Sequence, residues 1–239
     1  KLEALLLGML GSIVMAQGSY ERGQQFHDQS RSILLELGES QDVTTRQESI
    51  LAQSQGDIDR AWKLEEDRLV TARLSENRAE EADILCEMGD LATHRHEYYE
   101  AANLFHESLT LFQKLDLPRG IAHVLNRMAG LDSMMGKPEE AQKLLDQQLH
   151  LERTHGDPAS MLDVLQDLAS LAFDKKDIES SLKYYEEALQ LAIQLGNLPA
   201  QVIILQGLGQ INQYRQQFQA SEQLYQESLA VARISGHPK

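Results

Sequence analysis

Residues 164–199 read VLQDLASLAFDKKDIESSLKYYEEALQLAIQLGNLP, and this stretch decides the fold. Val164, Leu165, Leu168, Ala169, Leu171 and Ala172 recur at helical spacing, which predicts a first helix with one apolar face. Lys176-Asp177 interrupt that pattern. A second stripe follows with Ile178, Leu182, Tyr185, Ala188, Leu189, Ala192 and Leu195. Gly196 supplies a left-handed stop, and Pro199 begins the next segment. The unit is a helical hairpin.

The same hairpin recurs on either side. Gly23, Ala61, Ala101, Ala141, Ser181 and Ser221 occupy one matched position, at spacings of 38, 40, 40, 40 and 40 residues. A fixed period on the order of 20–50 residues marks a repeat array. Gly11, Gly89, Ala129, Ala169 and Gly209 match in the first helix, where a small side chain lets helices approach closely. The residues before them, Leu10, Met88, Met128, Leu168 and Leu208, are expected to fill the core. Leu109, Leu149, Leu189 and Leu229 are expected to form a core column on the second helix. Pro118, Pro158 and Pro238 share a matched position, Pro199 lies one residue later, and Pro138 opens a second helix. None of these prolines interrupts a helix interior. The second unit departs: Thr45, Glu48 and Ser49 stand at core positions, with Trp62 as the residue that could fill the space.

These residues carry a resemblance. The small-residue position, the Leu10-Gly11 and Leu208-Gly209 pairs, and the second-helix aromatics Phe105, Tyr185 and Tyr225 resemble the tetratricopeptide repeat family along essentially the whole chain. The usual closing proline is replaced by Leu35, Arg73, Gln113, Arg153, Ile193 and Arg233, which lets the second helix run on and accounts for the long period. Long repeats of this kind are similar to those of Pins-type adaptors, Rap-type peptide sensors and the sensor arms of signalling ATPases. The resemblance implies an all-α, right-handed superhelical α-solenoid of about six helix-turn-helix repeats. Their approximate bounds are 1–39, 40–79, 80–118, 119–158, 159–198 and 199–239, in a single array. The start at Lys1, the apolar first helix and the lack of a polar capping helix lead us to expect a fragment of a longer protein, with possible self-association through uncapped ends.

Composition narrows the function classes. A formal net charge of −15 with no basic run disfavours nucleic acid and anionic membrane surfaces. The apolar stretch from Ala4 to Ala16 is too short to span a bilayer and falls in register with the later repeats. One cysteine, Cys86, excludes an internal disulfide and fits a reducing, cytoplasmic setting.

In the family the first helices line the concave face, and carrying those positions over implies a partner-binding groove. The third unit gives Asp83, Glu87, Asp90 and His94, with Cys86 beside them, and the fourth gives His123, Asn126 and Arg127. The fifth gives Asp163, Gln166, Asp167, Ser170 and Asp174; the sixth gives Gln206, Gln210, Gln213 and Tyr214. Six of these are acids and one, Arg127, is a base. The groove is therefore expected to take a protein or peptide bearing Lys, Arg or amide-rich segments, because Asn and Gln pair with a peptide backbone in both senses. An acidic chaperone tail is disfavoured, since no matched position is Lys. In the first unit, Leu5, Met9, Met15 and Ala16 make an apolar end.

Catalytic chemistry is not expected. Glu87, Asp90 and His94 share a helical face, with His123 in the next unit, but no HExxH pair supports a metal, and no cofactor is expected. Cys86 lacks a nucleophile motif, and there is no phosphate loop or GxSxG elbow. The expected function is a non-catalytic binding scaffold; the alternative is an effector-sensing arm of a larger signalling ATPase or transcription regulator.

Overall fold

The computed structural model describes residues 2–16, 19–36, 42–156 and 158–236. Among them the chain is helical, with no strand. Two compact units are present, Lys1–Leu117 and Pro118–Lys239.

The first unit holds α1 (Leu2–Ala16), α2 (Tyr20–Glu36), α3 (Asp42–Ser54), α4 (Ile58–Leu74), α5 (Arg78–His94) and α6 (Tyr98–Lys114). The second holds α7 (Pro118–Met134), α8 (Pro138–His155), α9 (Pro158–Asp174), α10 (Ile178–Gln194), α11 (Leu198–Tyr214) and α12 (Phe218–Gly236). Each odd-numbered helix pairs with the next as a hairpin, and hairpins stack on one another within each unit, α4 on α5, α8 on α9 and α10 on α11.

Local chemistry sets the helix ends. Pro118, Pro138 and Pro158 each open a helix, where a missing N–H costs nothing. Asp57, Asn77, Asp177 and Asn197 cap others by accepting from the backbone N–H of Arg60, Glu80, Ser180 and Ala200. Backbone φ is left-handed at Gly56, Glu76, His96, Asp116, Gly136, Lys176, Gly196 and Gln216, every twentieth position but one. Gly196 does provide the left-handed stop its type suggests, with φ +64. Five of these eight residues are not glycine, so the turn geometry overrides the local steric preference.

The small-residue positions perform two jobs. Ala61, Ala101, Ala141 and Ser181 are fully buried where paired helices touch. Ser181 and Ser221 also donate across their hairpins, to the carbonyls of Ala169 at 2.7 Å and Gly209 at 2.9 Å. A Cβ on Gly89 would stand 2.5 Å from the Phe105 ring, and one on Gly209 3.0 Å from the ring of Tyr225. The second unit's core joins Leu145, Leu149, Leu162, Leu165, Leu168, Ala188, Ile204 and Leu208 in one cluster.

Two expectations about the core need correction. Met88, Met128, Leu168 and Leu208 are buried, but Leu10 is 42% exposed, so the first helix turns its matched residue outward. In the proposed leucine column only Leu149 is fully buried; Leu109 and Leu189 are half-buried and Leu229 is 52% exposed. In the irregular second repeat Glu48 and Ser49 are nevertheless buried, and Trp62 packs against Ala52, Ala61 and Leu91 as anticipated. Pro238 lies outside the described residues, as do the side chains of Leu5, Met15 and Ala16.

Candidate functional site

The sequence-predicted groove residues fall on α5, α7, α9 and α11, the first helix of each hairpin concerned. In the second unit their successive turns form a face held together by side chains. The Asn126 amide donates to the Asp167 carboxylate at 2.9 Å, tying α7 to α9. Phe173 and Tyr214 meet edge to face with ring centres 5.9 Å apart, tying α9 to α11. Between those links, Ser170 shares a 3.1 Å hydrogen bond with the Tyr185 hydroxyl, which reaches this face from α10. Gly207 makes that passage possible, because a Cβ there would stand 2.5 Å from the Tyr185 ring. Ser170 therefore serves the fold as well as the surface. His123, Arg127, Asp163, Asp174, Gln206, Gln210, Gln213 and Tyr214 are exposed, and Gln166 is half-buried with its amide 3.4 Å from the Leu162 carbonyl.

Acidic side chains on this face are Asp163, Asp167 and Asp174 of α9, with Arg127 on α7. Asp167 is exposed by area, yet burial among the groove atoms raises its carboxyl above the ordinary range. Asn126 opposes that shift, and the neighbouring Asp163 charge adds to it. The structure adds a base that the sequence argument missed: Lys176 lies 5.6 Å from the Phe173 ring centre and 5.4 Å from that of Tyr214. Its left-handed turn position brings it there, and no helical periodicity would have placed it on the groove rim.

The first unit's part of the predicted set behaves differently. Asp83 and His94 are exposed and Asp90 is half-buried, all on α5. Glu87 is engaged twice, by Arg46 and by Arg68, each at 2.6 Å. Arg68 also pairs with Glu65 at 2.5 Å, and both of those side chains are almost wholly buried. Burial pushes the Glu65 carboxyl up to about 7 despite the pull of Ser49 and Arg68. One carboxylate of the expected acidic groove is thus neutralised by basic residues 41 and 19 positions away in sequence. Cys86, carried over as a groove position, is instead buried at 3% exposure. Among the described residues no group of three or more His, Cys, Asp or Glu side chains is placed to hold a metal ion. None of their helices is long and apolar enough to cross a membrane.

Comparison with known proteins agrees with this architecture. The family model described as "Tetratricopeptide repeat" matches residues 80–149 and 160–234. BtubC (BKLC) from P. vanneervenii superposes with a TM-score of 0.74 at 17% identity, over 98% of this chain and 92% of that one. A Rap protein complexed with competence and sporulation factor gives 0.70 at 14% identity, over 96% and 64%. PH0952 from Pyrococcus horikoshii, a signal transduction ATPase with numerous domains and a tetratricopeptide repeat sensor, gives 0.73 at 15% identity. That match covers 88% of this chain but 32% of the ATPase. No curated protein sequence matches the chain.

Proposed function

Because this chain belongs to the tetratricopeptide repeat family, we propose that it is a non-catalytic binding module whose α7–α9–α11 face holds a cationic or amide-rich polypeptide segment. The observation that carries this reading is the run of Asp163, Asp167 and Asp174 along α9, flanked by Asn126 on one side and by Gln206 and Gln210 on the other. Carboxylates take Lys or Arg, and the amides pair with an extended backbone. In the first unit, α5 supplies Asp83, Asp90 and His94 to the same kind of surface. A protein of the same fold, a Rap protein, is complexed with competence and sporulation factor, which supports a binding role. We place the module in the cytoplasm, consistent with its single buried thiol.

The test compares affinity capture by the parent chain and by the Asp163→Lys, Asp167→Lys, Asp174→Lys variant, with circular dichroism confirming that both are folded. A partner retained by the parent and lost by the variant supports the face. Equal retention of every captured partner by both overturns it.

A second reading, an effector-sensing arm of a larger protein, has one observation in its favour: the superposition on an ATPase that carries a repeat sensor. An adjoining nucleotide-binding or DNA-binding domain in the gene would favour it.

A further inference from the structure

The seam between α4 and α5 combines apolar side chains with a cross-helix ion pair. Leu69 and Ala72 of α4 close against Ile84, Leu85 and Met88 of α5 in one buried cluster. Arg73 of α4 reaches the Glu81 carboxylate of α5 at 2.8 Å, and Arg78 holds the same carboxylate from within α5.

The same residue types stand in the same register on α12 and α1. Leu229 and Ala232 follow Ser221 as Leu69 and Ala72 follow Ala61, and Arg233 comes next as Arg73 does. A hydrogen bond fixes the register of α1. Ser30 donates to the Ala4 carbonyl at 2.7 Å, as Ser108 donates to that of Ala82 at 2.6 Å. Matching Ala4 to Ala82 sets Glu3 at the place of Glu81. It sets Leu6, Leu7 and Leu10 at the places of Ile84, Leu85 and Met88. On α12 and α1 these side chains are open rather than buried. Leu6 is 57% and Leu229 52% exposed; Glu3, Leu10 and Arg233 are exposed, and Leu7 and Ala232 are half-buried.

The buried ions of the α4–α5 seam have no counterpart here. Glu65, Arg68 and Glu87 are matched by Tyr225, Ser228 and Met9, so closing the two faces buries no charge at these positions. Glu222, in place of Trp62, is exposed and shares a shallow cleft with Phe218, Tyr225 and Leu229.

We propose that α12 of one copy docks on α1 of a second and rebuilds the α4–α5 seam between chains. Leu229 and Ala232 pack against Leu6, Leu7 and Leu10, and Arg233 pairs with Glu3. The occupant is a second copy because each face carries the other's complement in apolar pattern and in charge. Such a contact uses a different surface on each partner, so assembly is head to tail. It shares no residue with the α7–α9–α11 face.

Sedimentation equilibrium of the full chain between about 1 µM and about 100 µM tests this, and the mean mass should rise above that of one chain. Leu6→Glu with Leu10→Glu, and separately Leu229→Glu, put carboxylates into the apolar part of the seam; circular dichroism checks that both remain helical. Each variant alone should stay monomeric. An equimolar mixture of the two should form a species of two chains and no larger, because one intact α12 meets one intact α1. The exposed charge pair gives a gentler test. Glu3→Arg and Arg233→Glu should each weaken association by about tenfold or more, and the double variant should regain the parent's behaviour. A parent that stays a single chain at about 100 µM overturns the proposal. Association that survives in the Leu229→Glu variant alone, or in the α1 variant alone, also overturns it, in favour of a contact that does not need both faces. A mixture that remains monomeric overturns the head-to-tail order.

Discussion

At the scale of single residues, close packing and one buried titration dominate. Leu168 is 1% exposed at the centre of the second unit's core, so Leu168→Ala should destabilise that unit by about 2–5 kcal/mol in chemical denaturation. Gly207→Ala drives a methyl into the Tyr185 ring and should cost about 1–3 kcal/mol by the same measurement. It should also displace the Tyr185 hydroxyl from Ser170, so the binding face is disturbed from beneath. Glu65 gives a pH signature. Its folded value of about 7 lies above the ordinary 4.5, so between those limits the native state keeps a proton that the unfolded chain has shed. The stability contributed by that proton is complete below the lower limit and is lost as pH rises through the upper one. Glu65→Gln should flatten the pH dependence of melting across this window, and an unchanged slope would show that another group carries it. Arg68 retains Glu87 as a partner in that variant. The burial of Leu168 was legible in the repeat, whereas the Glu65 network was not, because Glu65, Arg68, Glu87 and Arg46 come from three different helices and their pairing depends on how those helices stack.

At the scale of the element, the sequence was far more informative. Apolar spacing, prolines and short polar caps act within a few residues, so the hairpins and their joints could be placed without knowing the tertiary arrangement. Asp177 illustrates this: its carboxylate accepts from Ser180 N–H, and Asp177→Ala should lower stability by about 1 kcal/mol, read as a shift in melting temperature. The joints were harder to read. Glu76, Asp116, Lys176 and Gln216 look unexceptional as residues yet adopt left-handed backbone. Their role emerges only from position relative to Gly56, Gly136 and Gly196. By contrast, family register alone assigns Cys86 to the groove, and α5 buries it instead, between Leu85 and Met88 of the core.

At the scale of the whole molecule, the second unit has its own continuous core running from Leu145 through Leu208. Residues 118–239 expressed alone should therefore give a helical spectrum and a cooperative melt; a gradual, non-cooperative loss of helix would contradict a self-sufficient core. The left-handed joints carry a further implication. Because they recur every twenty residues, Lys176 and Gln216 are equivalent points on consecutive hairpins. Excising residues 177–216 joins α9 directly to α12, and Ser221 then meets the Ala169 carbonyl that Ser181 had used. A cut half that length would instead set two first helices in succession, with no second helix between them. Genes encoding such a chain can lengthen or shorten by whole hairpins through unequal recombination and still specify protein that folds, so the number of hairpins is free to drift while their phase is held.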